Sequence, residues 1–122
     1  MNKWRELFPN QKPIIGMVHI QALPGTPGHH IHVHDIIELA VREAQVYEQH
    51  GLDAIMLENM HDVPYLNQNI GPEVTSVMTA IACSIRKAVS FPVGIQVLAA
   101  ANREALAIAL AAGLDFIRVE GF

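Results

Sequence analysis

The stretch GLDAIMLEN at residues 51–59 recurs as GLDFIRVEG at residues 113–121. Each copy follows an amphipathic segment that contains alanine, and each begins with a glycine of the kind that ends a helix. An apolar run then predicts a buried strand, and that strand ends on a carboxylate. This order is typical of a repeated β-α unit, so the two copies place Glu58 and Glu120 at equivalent positions.

The remaining segments continue the same alternation of strands and helices. Apolar runs predict strands over residues 14–20, 54–58, 93–98 and 115–120. Helical spacing predicts a short turn over residues 2–8 and long helices over residues 35–50, 72–89 and 103–112. Near-continuous apolar strands are typical of a parallel sheet that is covered on both faces. Two architectures fit this order: a doubly wound open sheet, or part of a (β/α)8 barrel.

Local sequence also predicts how some elements begin. Asp35, followed by Glu38 three residues later, resembles a capping box at the first long helix. Asn102 stands where it would cap the third long helix. In the short N-terminal turn, Trp4, Leu7 and Phe8 fall on one side and are expected to plug the base of the sheet.

Chain length favours the barrel over the open sheet. A complete barrel needs eight strands in about 250 residues, and the four predicted strands fill 122 residues. We therefore predict an α/β fold that forms the N-terminal half of a (β/α)8 TIM-type barrel, with four parallel strands and three main helices. Residues 1–122 would form a single incomplete domain, a half-barrel, in which residues 1–12 are an N-terminal lead-in segment.

Composition narrows the classes of function. The chain is 51% apolar and 16% charged, whereas soluble domains average about 45–50% and about 25%. We therefore expect more protein to cover part of its surface, and the exposed half-barrel edge to permit self-association. A net charge of −4 without a basic stripe argues against nucleic-acid binding.

Other features of the chain bear on its location. No apolar run approaches the roughly 18 residues of a transmembrane segment. Residues 1–12 carry no recognisable targeting signal. The single cysteine, Cys83, excludes an internal disulfide and is interpreted as a small core residue. These features predict a cytoplasmic protein.

Polar side chains cluster at the predicted carboxyl ends of the strands, where barrels and open α/β sheets place their ligand sites. Glu58 and Glu120 could act as an acid–base pair or bind a hard cation, or they could form structural ion pairs with Arg118. Arg118, one layer below the glutamates, could instead bind an anionic substrate. His19 is a candidate general base, or a hydrogen-bonded core residue. The catalytic candidates are Glu58, Glu120, Arg118 and His19, and the substrate-binding candidates are Asn59 and Gln96.

A histidine-rich loop before the first long helix contains His29, His30, His32 and His34. His32 and His34 would project from one side of an extended segment and could together bind zinc, nickel or copper. The nearby carboxylate of Asp35 is already assigned to the helix cap, so a solvated loop is the favoured interpretation and no metal site is assigned. The sequence leaves the cofactor unknown.

Four ordered motifs resemble the BtpA-like family and cover the chain from about residue 12 to residue 122. They are an opening signature, a strand-loop motif, a helix opening and a fourth-strand motif, at residues 12–25, 58–65, 70–73 and 116–121. The resemblance implies a TIM-barrel protein of roughly twice this length. The family takes its name from a role in photosystem I biogenesis in cyanobacteria, and the resemblance implies no particular reaction.

Two functions follow from the resemblance and the candidate residues together. The first is an enzyme, or an inactive truncated form of one, that acts on a small polar metabolite such as a sugar or nucleoside derivative. Acid–base chemistry at the two glutamates, with Arg118 stabilising negative charge, would be its mechanism. The second is a non-catalytic assembly or stability factor, as in photosystem I biogenesis, whose working surface would be the outer helices or loops.

Overall fold

The computed structural model describes residues 2–9, 12–59, 71–98 and 100–120. Its helices are α1 (Lys3–Leu7), α2 (Val33–Gln49), α3 (Pro72–Ala88) and α4 (Asn102–Ala112). Its strands are β1 (Ile15–His19), β2 (Ala54–Glu58), β3 (Val93–Gln96) and β4 (Phe116–Ile117). Most of the strand-loop motif predicted from the sequence, residues 60–65, lies outside the described residues.

The four strands form one parallel sheet in the order β1-β2-β3-β4. On one face of the sheet, strand side chains such as Val18, Leu57 and Ile95 are fully buried in a single core with the apolar sides of α2, α3 and α4. A doubly wound sheet would carry helices on both faces and would change strand order at a switch point. The structure is therefore α/β with three main helices on one face, consistent with half of a TIM-type barrel, as predicted.

The glycines of the sequence repeat end the helices that precede the two equivalent strands. Gly51 follows α2 with φ +79°, and Gly113 follows α4 with φ +70°. In both places the next residue donates its backbone N–H back into the helix, Leu52 to Tyr47 O at 3.3 Å and Leu114 to Ala109 O at 2.9 Å. Only a residue that tolerates the left-handed region makes this turn without strain.

The aspartates of the repeat fasten each strand to its neighbour. Asp53 Oδ2 accepts the backbone N–H of Ile14 at 2.7 Å, and Asp115 Oδ2 accepts that of Val93 at 2.9 Å. In return, the backbone N–H of Asp53 donates to the carbonyl oxygen of Ile14 at 3.0 Å, and that of Asp115 donates to the carbonyl oxygen of Val93 at 2.8 Å. The repeat therefore specifies the amino-terminal ends of the strands as well as their carboxyl ends.

The opposite face of the sheet, here called the inner face, carries no long helix among the described residues. Near its base, Phe116 lies over Gly94, and the rings of Trp4 and Phe8 lie 6.1 and 6.0 Å from the Phe116 ring. Phe8 is buried, whereas Trp4 is 46% exposed. The aromatic side chains of the lead-in segment thus cover part of the base of the sheet, as the sequence predicts. An open cavity of about 390 Å³ lies beside them, bordered by Ile15, Met17, Met56 and Arg118.

Several local predictions differ from the structure. The strands predicted over residues 14–20 and 93–98 extend only over Ile15–His19 and Val93–Gln96. The helix predicted to begin at Asp35 begins at Val33, with His32 as its N-cap residue and no side-chain capping bond. The helix predicted to follow an Asn102 cap begins at Asn102 itself, after Ala101. The fourth strand, predicted over residues 115–120, pairs only over Phe116–Ile117.

Candidate functional site

Four polar residues stand side by side across the carboxyl ends of the strands. In the Cα register, His19 pairs with Glu58 and Glu58 pairs with Gln96. Because Ile95 pairs with Ile117, the next step of the register puts Arg118 beside Gln96. We call His19, Glu58, Gln96 and Arg118 the strand-end row. Since side chains alternate along a strand, the row lies on the inner face, above Met17 and Met56.

The guanidinium of Arg118 links three members of the strand-end row. Its Nε donates a hydrogen bond to Gln96 Oε1, and its Nη2 lies 3.3 Å from Glu58 Oε2. The Glu58 side chain is 6% exposed, and the Arg118 side chain is 53% exposed. A buried carboxylate requires compensation of this kind. The ion pair between Glu58 and Arg118, which the sequence offered as the alternative to a catalytic role, is therefore present in the structure.

The position of Arg118 differs from the position that the repeat predicts. Aligning the two copies places Arg118 with Met56, one layer below the glutamates. The sheet register instead places Arg118 level with Glu58, and Glu120 lies two residues further along the chain. The two copies lie on β2 and β4, with β3 between them. The strands of such a sheet are staggered relative to one another, so equivalent residues of two repeats do not share a layer.

Glu120 is engaged with the loop between β3 and α4. One of its carboxylate oxygens accepts the backbone N–H of Ala100. The side chain of Asn102 holds the Glu120 backbone, donating to its carbonyl at 2.8 Å and accepting its N–H at 3.3 Å. Ala100 has φ +59°, a strained value for a residue with a side chain. Glu120 therefore stabilises a strained loop and, in this arrangement, has a different partner from Glu58.

Asn59 also binds the loop between β3 and α4 through its side chain. It is 2% exposed, and its Oδ1 accepts the backbone N–H of Leu98 at 2.7 Å. Its Nδ2 lies 3.5 Å from the carbonyl oxygen of Leu98. Alternation along the chain puts this side chain on the opposite side from that of Glu58. The two predicted substrate-binding residues therefore differ in position, because Gln96 holds Arg118 on the inner face and Asn59 holds a loop.

His19 stands at one end of the strand-end row, on the first strand of the sheet. It is exposed, whereas its register neighbour Glu58 is buried. The alternative interpretation, a histidine buried in the core, is therefore wrong. An exposed imidazole beside a row of polar groups is accessible to a ligand.

Three of the four histidines around the start of α2 have separate partners. His29 and His30 each have Nδ1 within hydrogen-bonding distance of a loop carbonyl oxygen, at 3.2 and 2.8 Å. His34 Nε2 lies 3.3 Å from Glu38 Oε1, one helical turn along α2. Within the ranges that the structure describes, no three histidine, cysteine, aspartate or glutamate side chains converge on a point that could hold a metal ion.

Sequence reasoning did not identify Asn102 and Ala100 as parts of the strand-end architecture. Asn102 stands just before an apolar helical run, and this pattern gives the same signal as an ordinary N-cap. Its actual partner, the backbone of Glu120, is eighteen residues away and carries no local signature. An alanine in the left-handed region has no recognisable sequence signal at all.

Fold and site together define the class of protein: a parallel α/β protein with three main helices on one face of its sheet and a polar row across its strand ends. The sequence profile described as the BtpA family matches residues 10–122. The chain belongs to this family. Across the described ranges, the helices are too short or too polar to cross a membrane.

Relatives of the chain come from distant groups of organisms. An uncharacterized protein of Caenorhabditis elegans, named as mitochondrial, is 44% identical over 123 residues, which cover 96% of this chain and 44% of the relative. An uncharacterized protein of Archaeoglobus fulgidus is 43% identical over 89% of this chain and 44% of its own length. The photosystem I biogenesis protein BtpA of Synechocystis sp. is 39% identical over 93% of this chain and 40% of its own length. The chain thus spans less than half the length of these relatives.

Proposed function

We propose that the protein is an enzyme, or part of one, that acts on a small polar metabolite such as a sugar or nucleoside derivative, with the strand-end row in its pocket. One observation carries the proposal: a buried carboxylate at the end of β2 and a half-exposed guanidinium just after β4 meet across β3, at the carboxyl ends of the parallel strands. Barrels and open α/β sheets bind their ligands at this edge. The fold alone names no reaction.

In this proposal the members of the row divide the chemistry between them. Glu58, which contacts Arg118, accepts a proton from the substrate. Arg118 stabilises the negative charge that develops. His19, on the other side of Glu58, is the second proton-transfer group. The catalytic role predicted for Glu120 stays a prediction, and its contact with Ala100 supports a role in shaping the loop above the row.

We further propose that additional β-α units complete the barrel in the whole protein. Support comes from the three helices on one face, the apolar residues on the inner face and the greater length of the relatives. The interior of a complete barrel is packed with side chains, so the cavity beside Met17 and Met56 would be filled by the other half. Without such units this chain would be an inactive truncated form.

A ligand screen tests the enzymatic proposal. Binding of a panel of neutral sugars and nucleosides would be followed by saturation-transfer NMR on the wild-type chain, on Glu58→Gln and on Glu38→Gln. Glu38 is an exposed glutamate on α2 and serves as the matched control. We expect at least one compound to bind, to lose affinity with Glu58→Gln and to retain it with Glu38→Gln. Binding that is indifferent to Glu58→Gln, with folding verified by circular dichroism, would contradict the proposal.

A second candidate function is a non-catalytic assembly factor. It is favoured by the relative named as a photosystem I biogenesis protein and by apolar side chains exposed on the outer helices. Leu110 on α4 is 86% exposed and Leu106 is 57% exposed. Substituting both with serine would abolish partner capture in an assembly factor and would leave metabolite binding unchanged in an enzyme.

A further inference from the structure

We infer that Arg118 binds an oxyanion, a phosphate or carboxylate group of the metabolite, through the edge of its guanidinium that faces away from Gln96 and Glu58. This inference deepens the proposed function and rests on it. It assigns the substrate class more narrowly: a metabolite that carries a negatively charged group.

The geometry of the guanidinium carries the argument. Arginine has five N–H donors in a fixed planar fork, and Nε–H and one N–H of Nη2 point to the same side. Gln96 accepts from Nε and Glu58 from Nη2, so these two residues occupy that side. The end of the fork, formed by Nη1 and the second N–H of Nη2, has no hydrogen-bond acceptor among the described residues. Two parallel N–H groups of this kind match the oxygens of a carboxylate or phosphate.

Exposure and rigidity make the free end of the fork accessible and well ordered. Arg118 has two side-chain partners, yet its side chain is 53% exposed. Both partners are buried: as whole residues, Gln96 is 3% exposed and Glu58 is 4% exposed. Buried partners fix the guanidinium, so less conformational entropy is lost when an anion binds.

The charges around Arg118 set the expected strength of binding. Glu58 neutralises part of the guanidinium charge and repels a second anion, whereas Gln96 orients the group without adding charge. Replacing Glu58 by glutamine keeps an amide oxygen near Nη2 and removes the repulsion. An anion should therefore bind more tightly to Glu58→Gln. A purely structural ion pair would give no such effect.

The test uses the whole chain labelled with ¹⁵N and follows the Arg118 Nε–H signal while inorganic phosphate or acetate is added against chloride at constant ionic strength. We expect a saturable shift of this signal. Affinity in every protein, including Arg118→Met, is read from the backbone amide signals of the strand-end row in the same titration. In Arg118→Met, phosphate affinity should fall about tenfold or more, which corresponds to the loss of a charge-assisted hydrogen bond. In Glu58→Gln, affinity should rise about threefold, which corresponds to removing one screened like charge.

Arg42→Gln is the matched control, because Arg42 is an exposed arginine on α2, away from the strand-end row. An Arg118 signal that does not respond to either anion, or equal losses of affinity in the Arg42 and Arg118 variants, would overturn the inference. If Arg118→Met does not fold, the shift of the Arg118 signal in the wild-type chain and its change in Glu58→Gln decide the question.

Tighter binding of phosphate than of acetate assigns a phosphorylated metabolite, and the reverse assigns a metabolite with a carboxylate group. Binding of neutral sugars at the row without a response to anions would refute only this inference and leave the proposed function standing.

Discussion

Gly94 shows how a single residue shapes the inner face. It pairs with Phe116 in the sheet register, and a Cβ added at Gly94 would overlap the Phe116 ring. The ring in turn lies in contact with Trp4 and Phe8 of the lead-in segment. The absence of a side chain at Gly94 therefore allows the aromatic cluster to pack at the base of the sheet.

Gly94→Ala is expected to lower the free energy of unfolding by about 2 kcal/mol, because overpacking forces the ring and the strand apart. Urea denaturation followed by circular dichroism measures the change. In a Phe116→Ala background the same substitution should cost clearly less, since the two positions are in contact. An equal cost in both backgrounds would show that the ring is not the cause.

The ion pair between Arg118 and Glu58 makes a second prediction at the scale of residues. Arg118→Met leaves the Glu58 carboxylate buried without its cation, and we expect a loss of about 2 kcal/mol, below the usual range for buried pairs because Arg118 is half exposed. The double variant Glu58→Met with Arg118→Met should regain most of this stability. Additive losses in the double variant, measured by the same urea titration, would contradict the prediction.

At the scale of elements, sequence reasoning succeeded where the signal is local to one segment. The bounds predicted for β2, residues 54–58, are those observed. The sequence also predicted that α2 ends before Gly51 and that α3 begins at Pro72. Each of these boundaries depends on the backbone preferences of the residue itself. Alternation along β2 and β4 also predicted that Glu58 and Arg118 lie on the same face of the sheet.

The remaining details depend on contacts between elements and could not be read from one segment. The level of Arg118 depends on the stagger between strands, which the packing of helices and sheet determines. The shortness of β4 also reflects a contact between elements. Beyond Ile117, the backbone of Glu120 is held by the side chain of Asn102, and the predicted pairing to residue 120 is not made. No pattern within residues 115–120 indicates that partner.

Glu48 connects two elements and gives the fold a dependence on pH. Its Oε2 accepts hydrogen bonds from Ser90 N and Ser90 Oγ, both at 2.9 Å, and from Phe91 N at 3.0 Å. Burial by itself raises the pKa of Glu48, but the hydrogen bonds from Ser90 and Phe91 and the charge of Arg86 outweigh it, so the pKa lies below its usual value. The end of α2 is thereby fastened to the segment between α3 and β3.

Because the pKa of Glu48 is lower in the folded than in the unfolded protein, the ionised group stabilises the fold above the unfolded-state pKa. That contribution is lost as pH falls through the folded-state pKa. We expect Glu48→Gln to destabilise the protein at neutral pH and to make little difference once the wild-type glutamate is protonated. Urea midpoints of both proteins, compared from neutral to acidic pH, measure the effect. Glu38→Gln is the control, and an equal difference at every pH would contradict the assignment.

At the scale of the whole molecule, α2, α3 and α4 cover one face of the sheet, and no long helix of the described residues covers the other. The described part of the inner face carries the apolar side chains of Met17 and Met56 below the strand-end row. Apolar surface of this kind, next to unpaired sheet edges, associates with other protein surface. In the whole protein we propose that further β-α units cover it.

When the 122-residue chain is studied alone, we expect self-association through the inner face. Sedimentation velocity should show a mass that rises with concentration. Met17→Glu should shift the chain towards monomer, because it places a charge on that face. Leu110→Glu, on the outer side of α4, should not. A monomer at all concentrations, or an effect of Leu110→Glu alone, would refute this prediction.

The order of the strands has a consequence for how the chain acquires its structure. Each strand pairs with the strand that precedes it in the sequence, and α2 contacts α3 while α3 contacts α4. Every unit therefore finds its docking surface on a unit that the ribosome has already released. Such a chain can assemble stepwise during synthesis, one β-α unit after another.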